Sequence, residues 1–325
     1  MRLVTFAASG AARLGALVDG DRRVVDLVAA RSDAGPAFAS MQALIEAGDT
    51  ALNRASEIVA DGQRSGRGVI DTSSVRLLAP LPLPPQIRDF LCFEKHLIQA
   101  FTRLRNVRAA AAPDPEKALR EMEQAGTFTV PKIWYERPSF YKPSRFAVCG
   151  TEQDVVWPAY SKTIDYELEF ACVIGKAGHN ITKDQARAHI FGYTIFNDLS
   201  ARDEQSQEML SNLGPGKGKD FDNSNPFGPC IVTADEIPDP YALEMVVRVN
   251  GEERGRGNSG EMHWKYEDCI AFVARDETVH PGEVFCSGTV GNGSGLETGR
   301  FLDIGDVVEL EVEKIGVLRN RIVRA

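Results

Sequence analysis

Glu167 and Glu169 stand two residues apart in Asp165-Tyr166-Glu167-Leu168-Glu169-Phe170, and Asp198 follows in Phe196-Asn197-Asp198-Leu199-Ser200-Ala201-Arg202-Asp203. In an extended strand alternate side chains share a face, so both glutamates point one way while Tyr166, Leu168 and Phe170 point the other. Asp198 ends the apolar run Phe191 to Phe196, a strand end that a rigid scaffold can hold open to a cavity. Three carboxylates, with water completing an octahedron, suit Mg²⁺ or Mn²⁺, and Ca²⁺ in a looser site. Zinc would ask for paired His or Cys ligands. Glu-x-Glu alone also describes the wet face of an amphipathic strand, and the segment around Asp198 favours the metal reading. The spacing therefore predicts a metal-assisted enzyme.

The elements that must hold these residues are mostly short strands. From Trp134 onward, strand-like runs are separated by Gly, Pro, Asn and Asp, and Val308, Leu310 and Val312 alternate with glutamates. Helical signals are fewer. One runs from Lys183 to His189 behind the capping box Thr182-Lys183-Asp184-Gln185, another from Ala118 to Gln124 behind Asp114 and Pro115. Near the start, Ala16-Leu17-Val18 and Val24-Val25-Asp26-Leu27 flank Asp19-Gly20, which predicts a hairpin over Gly15 to Leu27. The apolar spacing between Ala37 and Ala60 predicts a helix broken at Gly48-Asp49, with Asp61 to Gly68 as a linker. The prolines of Ala79-Pro80-Leu81-Pro82-Leu83-Pro84-Pro85 exclude helix interior and central strand. We expect an α+β chain, mostly β, with a small N-terminal domain over 1–75 and a catalytic domain over 76–325. A polar, Ala-rich insertion around 103–131 reads as a lid.

With 325 residues, 43% of them hydrophobic, the chain can bury a sizeable core. Its formal net charge of -9 argues against nucleic acid or anionic membrane as the main partner. The 6 cysteines show no C-x-x-C or zinc-like spacing and read as small buried hydrophobes in a reducing cytoplasm. No apolar run reaches transmembrane length, and the N-terminus reads as a strand rather than a leader, so cytoplasmic residence is expected.

The two carboxylate segments resemble the fumarylacetoacetate hydrolase family, whose members carry D-Y-E-x-E, then N-D-x-[ST]-A-R-D-x-Q, then G-K-x-F. Here the second reads Asn197 to Gln205 and the third Gly218-Lys219-Asp220-Phe221. Ser287-Gly288-Thr289-Val290-Gly291 and Leu302 to Glu309 look like further family elements, so the resemblance covers roughly residues 80 to 325. It implies a mixed β-roll or sandwich enclosing the metal, and homodimers.

Carried over by position, the resemblance puts metal ligands on Glu167, Glu169 and Asp198. Asp89 is a fourth candidate, because Asp89-Phe90 stands seven residues before His96. Lys219 and Arg202 would balance the site's negative charge. His96 becomes the general base, since histidine titrates near neutrality. A glutamate should orient it, and two branches of the family supply that glutamate differently. In the H-x-x-E arrangement this chain has Gln99, whereas Gly295-Leu296-Glu297 matches the other branch, so Glu297 is the chosen partner. Lys219, Arg202 and Gln205 would stabilise developing negative charge. Phe140-Tyr141-Lys142-Pro143-Ser144 resembles the turn at the substrate mouth, which nominates Tyr141 and Lys142, and Thr289 lies where glycines let backbone approach substrate. His179, His189, His263 and His280 read as structural.

The chemistry implied is hydrolysis of a carbon–carbon bond in a small 1,3-diketo acid of the fumarylacetoacetate or acylpyruvate kind. His96 would activate water, and the metal would hold the enolate released. The same platform serves isomerases, decarboxylases and hydratases of 2-oxo acids. A third reading is a catalytically silent metal-binding protein.

Overall fold

Strand Leu168–Ile174, which carries Glu169, is buried along its whole length, as a run of apolar residues on both faces requires. It lies inside a twelve-stranded sheet. The main path runs Val69–Asp71, Arg23–Asp26, Ala11–Val18, Arg2–Ala8, Asn225–Thr233, Ile190–Asn197, Leu168–Ile174, Val284–Cys286, Ile87–Phe90 and Phe140–Tyr141. A five-stranded sheet runs Glu252–Asn258, Glu244–Val249, Val307–Val312, Gly316–Val323 and Asp154–Val156. The computed structural model describes residues 1–8, 10–31, 33 and 35–324.

The two faces of Leu168–Ile174 enter different cores. Leu168, Phe170 and Cys172 join Met245, Val247 and Leu310 of the smaller sheet. Ala171 and Val173 join Leu44, Ile45, Ala55 and Ile58 of helix Met41–Ser65. The large sheet is thus packed between a sheet and a helix, and the architecture is mixed α+β, mostly sheet. No helix among the described residues is long and apolar enough to cross a membrane.

The N-terminal hairpin forms as expected, with Asp19 and Gly20 at positive φ and Val18 opposite Arg23. Leu27 instead opens a short helix, Leu27–Ala30, whose amides at Val28 and Ala29 are capped by the Asp26 side chain. Helix Met41–Ser65 is broken at Gly48 (φ 68), as the sequence suggests. The linker expected over Asp61 to Gly68 is a correction, because Asp61 to Ser65 are helical. Gly62 stands there for closeness rather than flexibility: a Cβ on it would come within 2.7 Å of Val25 Cγ1. Arg2–Ala8 pairs with Asn225–Thr233, so the N-terminal strands extend the twelve-stranded sheet. A unit boundary near residue 75 and a lid over 103–131 remain proposals.

Helix Glu94–Ala110 is the element the sequence reading did not place, and it carries His96. Helix Pro115–Gln124 follows, capped by Asp114 with proline in its first turn as expected. The six cysteines are unpaired and buried.

Candidate metal centre and active site

Three strands of the large sheet converge on one carboxylate cluster. Ala171 faces Cys286 across an antiparallel ladder, and Cys286 faces Asp89 across a parallel one. Glu169 lies two residues before Ala171 and so shares its face. The result is a group of Asp89, Glu169 and Cys286 whose ligand atoms lie within 4.8 Å of one another, and a second group of Glu167, Glu169 and Asp198 with the same spacing. All four carboxylates are buried. The amphipathic-strand reading of Glu167 and Glu169 therefore fails, since neither faces water.

Two buried cations answer them. Lys219 Nζ bonds Asp198 Oδ2 and lies 3.1 Å from Glu167 Oε2. Arg202 Nη2 lies 2.6 Å from Glu167 Oε1 and 2.7 Å from Asp165 Oδ2, and its Nε bonds the same Asp165 oxygen at 2.8 Å. Arg202 Nη1 donates to Gln205 Oε1 at 3.0 Å. Burial alone would raise the pKa of Glu167, but Lys219, then Arg202 and His96, overcome it and hold the carboxyl below its usual range. Asp89 and Glu169 go the other way. Burial, then crowding by other carboxylates, pushes both well above the ordinary range, and Asp198 rises more modestly because Lys219 opposes its burial.

His96 Nδ1 lies 2.9 Å from Glu297 Oε1, with both side chains buried. The second Glu297 oxygen accepts the Ser294 amide at 3.0 Å, so the carboxylate is fixed at the start of helix Gly295–Thr298. Asp165 anchors the same helix by accepting the amides of Gly295 and Leu296 at 2.7 and 2.8 Å. The glycine-rich loop before it leans on the carboxylate strand: Gly288 N donates to Glu169 Oε2 at 2.9 Å and Leu168 N to Gly293 O at 3.0 Å. Gly288 has φ 74, and a Cβ there would meet Phe90 O at 2.2 Å, so this turn needs glycine. Gln99 makes no hydrogen bond to His96 among the described residues. It bonds Asn292 instead.

The remaining sequence candidates divide. Tyr141 Oη donates to both Asp198 oxygens at 2.8 Å, and burial, then Asp198 and Asp89, raise its pKa far enough to keep it a neutral donor. Thr289 is buried beside the glycine turn, whereas Lys142 is exposed. Asp165 and Asn292 carry site contacts that the sequence reading gave no role. Cys286, read only as a buried hydrophobe, brings its sulfur to Asp89 and Glu169. Strand register places it there, and no local spacing could have shown it.

A divalent cation fits this donor set. Asp89 Oδ1 and Glu169 Oε1 are buried with no hydrogen-bond partner among the described residues, and two orphan carboxylate oxygens would be costly without a cation. Oxygen donors from Glu167, Glu169, Asp198 and Asp89 suit a hard ion.

The chain is similar to known proteins over most of its length. Residues 106–323 match the family described as fumarylacetoacetate (FAA) hydrolase C-terminal. The chain is 31% identical over 331 aligned positions to the mitochondrial oxaloacetate tautomerase of Xenopus laevis, covering 99% of this chain and 90% of that one. A human mitochondrial oxaloacetate tautomerase is 39% identical over 193 residues, 58% of this chain and 60% of its own length. The structure of fumarylacetoacetate hydrolase from psychrophilic Exiguobacterium antarcticum superposes with a TM-score of 0.74 at 26% identity, covering 100% of both chains. The chain belongs to the fumarylacetoacetate hydrolase family.

Proposed function

We propose that the protein is a divalent-metal-dependent enzyme acting on a small, enolisable 2-oxo acid, and that it hydrolyses a carbon–carbon bond in a 1,3-diketo acid. The His96–Glu297 contact is the observation that supports this reading, because hydrolysis needs a base that activates water and a carboxylate on Nδ1 would fix the orientation of such a base. With Nδ1 held by the carboxylate, Nε2 is the nitrogen that accepts a proton. A divalent ion held by Glu167, Glu169, Asp198 and Asp89, Mg²⁺ or Mn²⁺ by its donors and Ca²⁺ as the looser option, would polarise paired substrate oxygens.

His96 takes a proton from water as the water oxygen adds to the distal carbonyl. The bond from that carbonyl carbon to the neighbouring CH₂ then breaks. Its electron pair passes into the 2-oxo fragment, and protonation of that fragment yields the second acid. We assign Lys219 and the Gln205 amide to the developing negative charge. Arg202, also a candidate for that role, commits its guanidinium to Asp165, Glu167 and Gln205 and so holds the carboxylates in place. Tyr141 and Thr289 would line the substrate's approach, with Lys142 at its outer edge.

A second reading is keto–enol tautomerisation of a dicarboxylic 2-oxo acid, favoured by the names of the Xenopus and human relatives. In it His96 moves a proton between carbon and oxygen, and no bond between carbons breaks. Product analysis separates the two. With Mn²⁺, acetylpyruvate should yield acetate and pyruvate in equal amounts; faster enol–keto exchange of oxaloacetate, with acetylpyruvate left intact, would replace hydrolysis by tautomerisation. We further propose a homodimer, to be checked by light scattering, and residence in the cytoplasm, which contrasts with the mitochondrial designation of those relatives.

A further inference from the structure

One face of helix Glu94–Ala110 lies against the segment 291–299. Lys95 packs on Gly291, where a Cβ would fall 2.4 Å from Lys95 Cδ. His96 meets Glu297. Arg103 covers Gly299, where a Cβ would fall 2.0 Å from its Nη2. Lys95, Gln99 and Arg103 follow the four-residue spacing of a single helical ridge, with His96 beside it. Gln99 sits at the centre of this seam and makes its reciprocal bonds: Nε2 donates to Asn292 Oδ1 at 2.7 Å, and Oε1 accepts the Asn292 amide at 3.0 Å.

Asn292 is held from its other side as well. Its Nδ2 donates to Arg256 O at 3.2 Å, and its backbone is left-handed, φ 67, a conformation asparagine tolerates better than most residues. These partners fix which way each amide faces. A carboxylate at position 99 would present oxygen to Asn292 Oδ1. Turning the Asn292 amide over to relieve that contact would break the bond to Arg256. Glutamine is therefore the residue type this seam accepts.

We propose that Gln99 is a positioning residue: by clasping Asn292 it locks the helix bearing His96 to the loop leading into Glu297, and so sets the base pair's geometry. The inference rests on the reading of His96 and Glu297 as the base pair. It accounts for the absence of a glutamate one turn after His96, since the orienting carboxylate comes from the loop and position 99 secures that loop.

The test measures kcat, KM and Mn²⁺ affinity for wild type, His96→Ala, Gln99→Ala, Gln99→Met, Asn292→Ala and the Gln99→Ala/Asn292→Ala double variant, with acetylpyruvate and oxaloacetate as substrates. Mn²⁺ binding is followed by electron paramagnetic resonance. Each single clasp variant should lower kcat by about 10- to 100-fold, the range for a reacting group displaced by a fraction of an ångström to 1 Å. KM and Mn²⁺ affinity should stay within about twofold, and the double variant should be no slower than the worse single one, as for two halves of one contact. Gln99→Met keeps length and helix propensity, so it reports on the clasp if Gln99→Ala folds poorly. Turnover that depends on His96 but is unchanged in Gln99→Met overturns the clasp alone. Parallel losses in kcat, KM and Mn²⁺ affinity also overturn it, because they signify general loosening. Turnover untouched by His96→Ala overturns the base-pair reading, and the clasp's catalytic role with it.

Discussion

At the scale of single residues, the question is how four carboxylates stay buried together. Lys219 and Arg202 hold Glu167 below the usual carboxylate range, whereas burial, then crowding by other acids, makes Asp89 and Glu169 bind protons more tightly than ordinary carboxylates. The linkage has a definite sign. Asp89 and Glu169 bind protons more tightly folded than unfolded, so their contribution to stability is full below the ordinary carboxylate range and is lost as pH rises through their raised pKa values. Glu167, held low, acts oppositely, and only at acid pH. Calorimetry in chelator should therefore show Tm falling as pH climbs from the ordinary carboxylate range, and saturating Mn²⁺ should flatten that fall, because the ion needs the ionised carboxylates. Glu169→Gln should weaken Mn²⁺ binding by about 100-fold or more, beyond the 10- to 100-fold typical of outer-sphere changes. Glu167 and Glu169 were legible from spacing because alternation along a strand is local, and Asp198 because it ends an apolar run. Asp89 was not: its neighbours are set by a parallel ladder to Cys286, and only resemblance nominated it.

At the scale of elements, Arg202 is the joint between the carboxylate strand and the helix of Glu297. Asp165 accepts from its guanidinium on one side and from the Gly295 and Leu296 amides on the other. Arg202→Ala would leave Asp165 buried against those amides without its counter-charge. It should cost about 3–5 kcal/mol, the range for breaking one side of a buried pair, measurable by urea unfolding. A surface pair such as Lys117 and Glu121, 3.8 Å apart and exposed, should contribute nothing measurable when broken. Helix Glu94–Ala110 escaped the sequence reading for a physical reason. It buries only His96, Leu97, Ala100 and Ala109, while Ile98 and Val107 are exposed, so its apolar stripe is weak. Helix Met41–Ser65 was legible because Leu44, Ile45, Ala55 and Ile58 mark a continuous buried face. Its last turn was misread because Gly62 looks like a linker residue and is a packing residue.

At the scale of the whole molecule, the sheet is what gives the site precision. The cluster draws on Ile87–Phe90, Leu168–Ile174 and the end of Ile190–Asn197, strands far apart in sequence and held in one register by the two cores around them. An ion bound there should stabilise the fold as a whole: Mn²⁺ at 100 times its Kd should add about 2.7 kcal/mol to the unfolding free energy, read as a rise in Tm. Mostly-sheet architecture was legible from short strands and frequent turn residues. The joining of the N-terminal strands to the large sheet was not, since the pairing of Arg2–Ala8 with Asn225–Thr233 leaves no local trace.

The most direct test of metal-dependent chemistry at His96 is the rate of enol ultraviolet absorbance loss from acetylpyruvate and longer 1,3-diketo acids, with Mn²⁺ and with chelator, for wild type and His96→Ala. Fast loss with Mn²⁺ that stops with chelator and falls by about 10²- to 10⁴-fold in His96→Ala, the usual worth of a general base, is the expected result. Loss that persists in chelator, or that His96→Ala leaves unchanged, would contradict it.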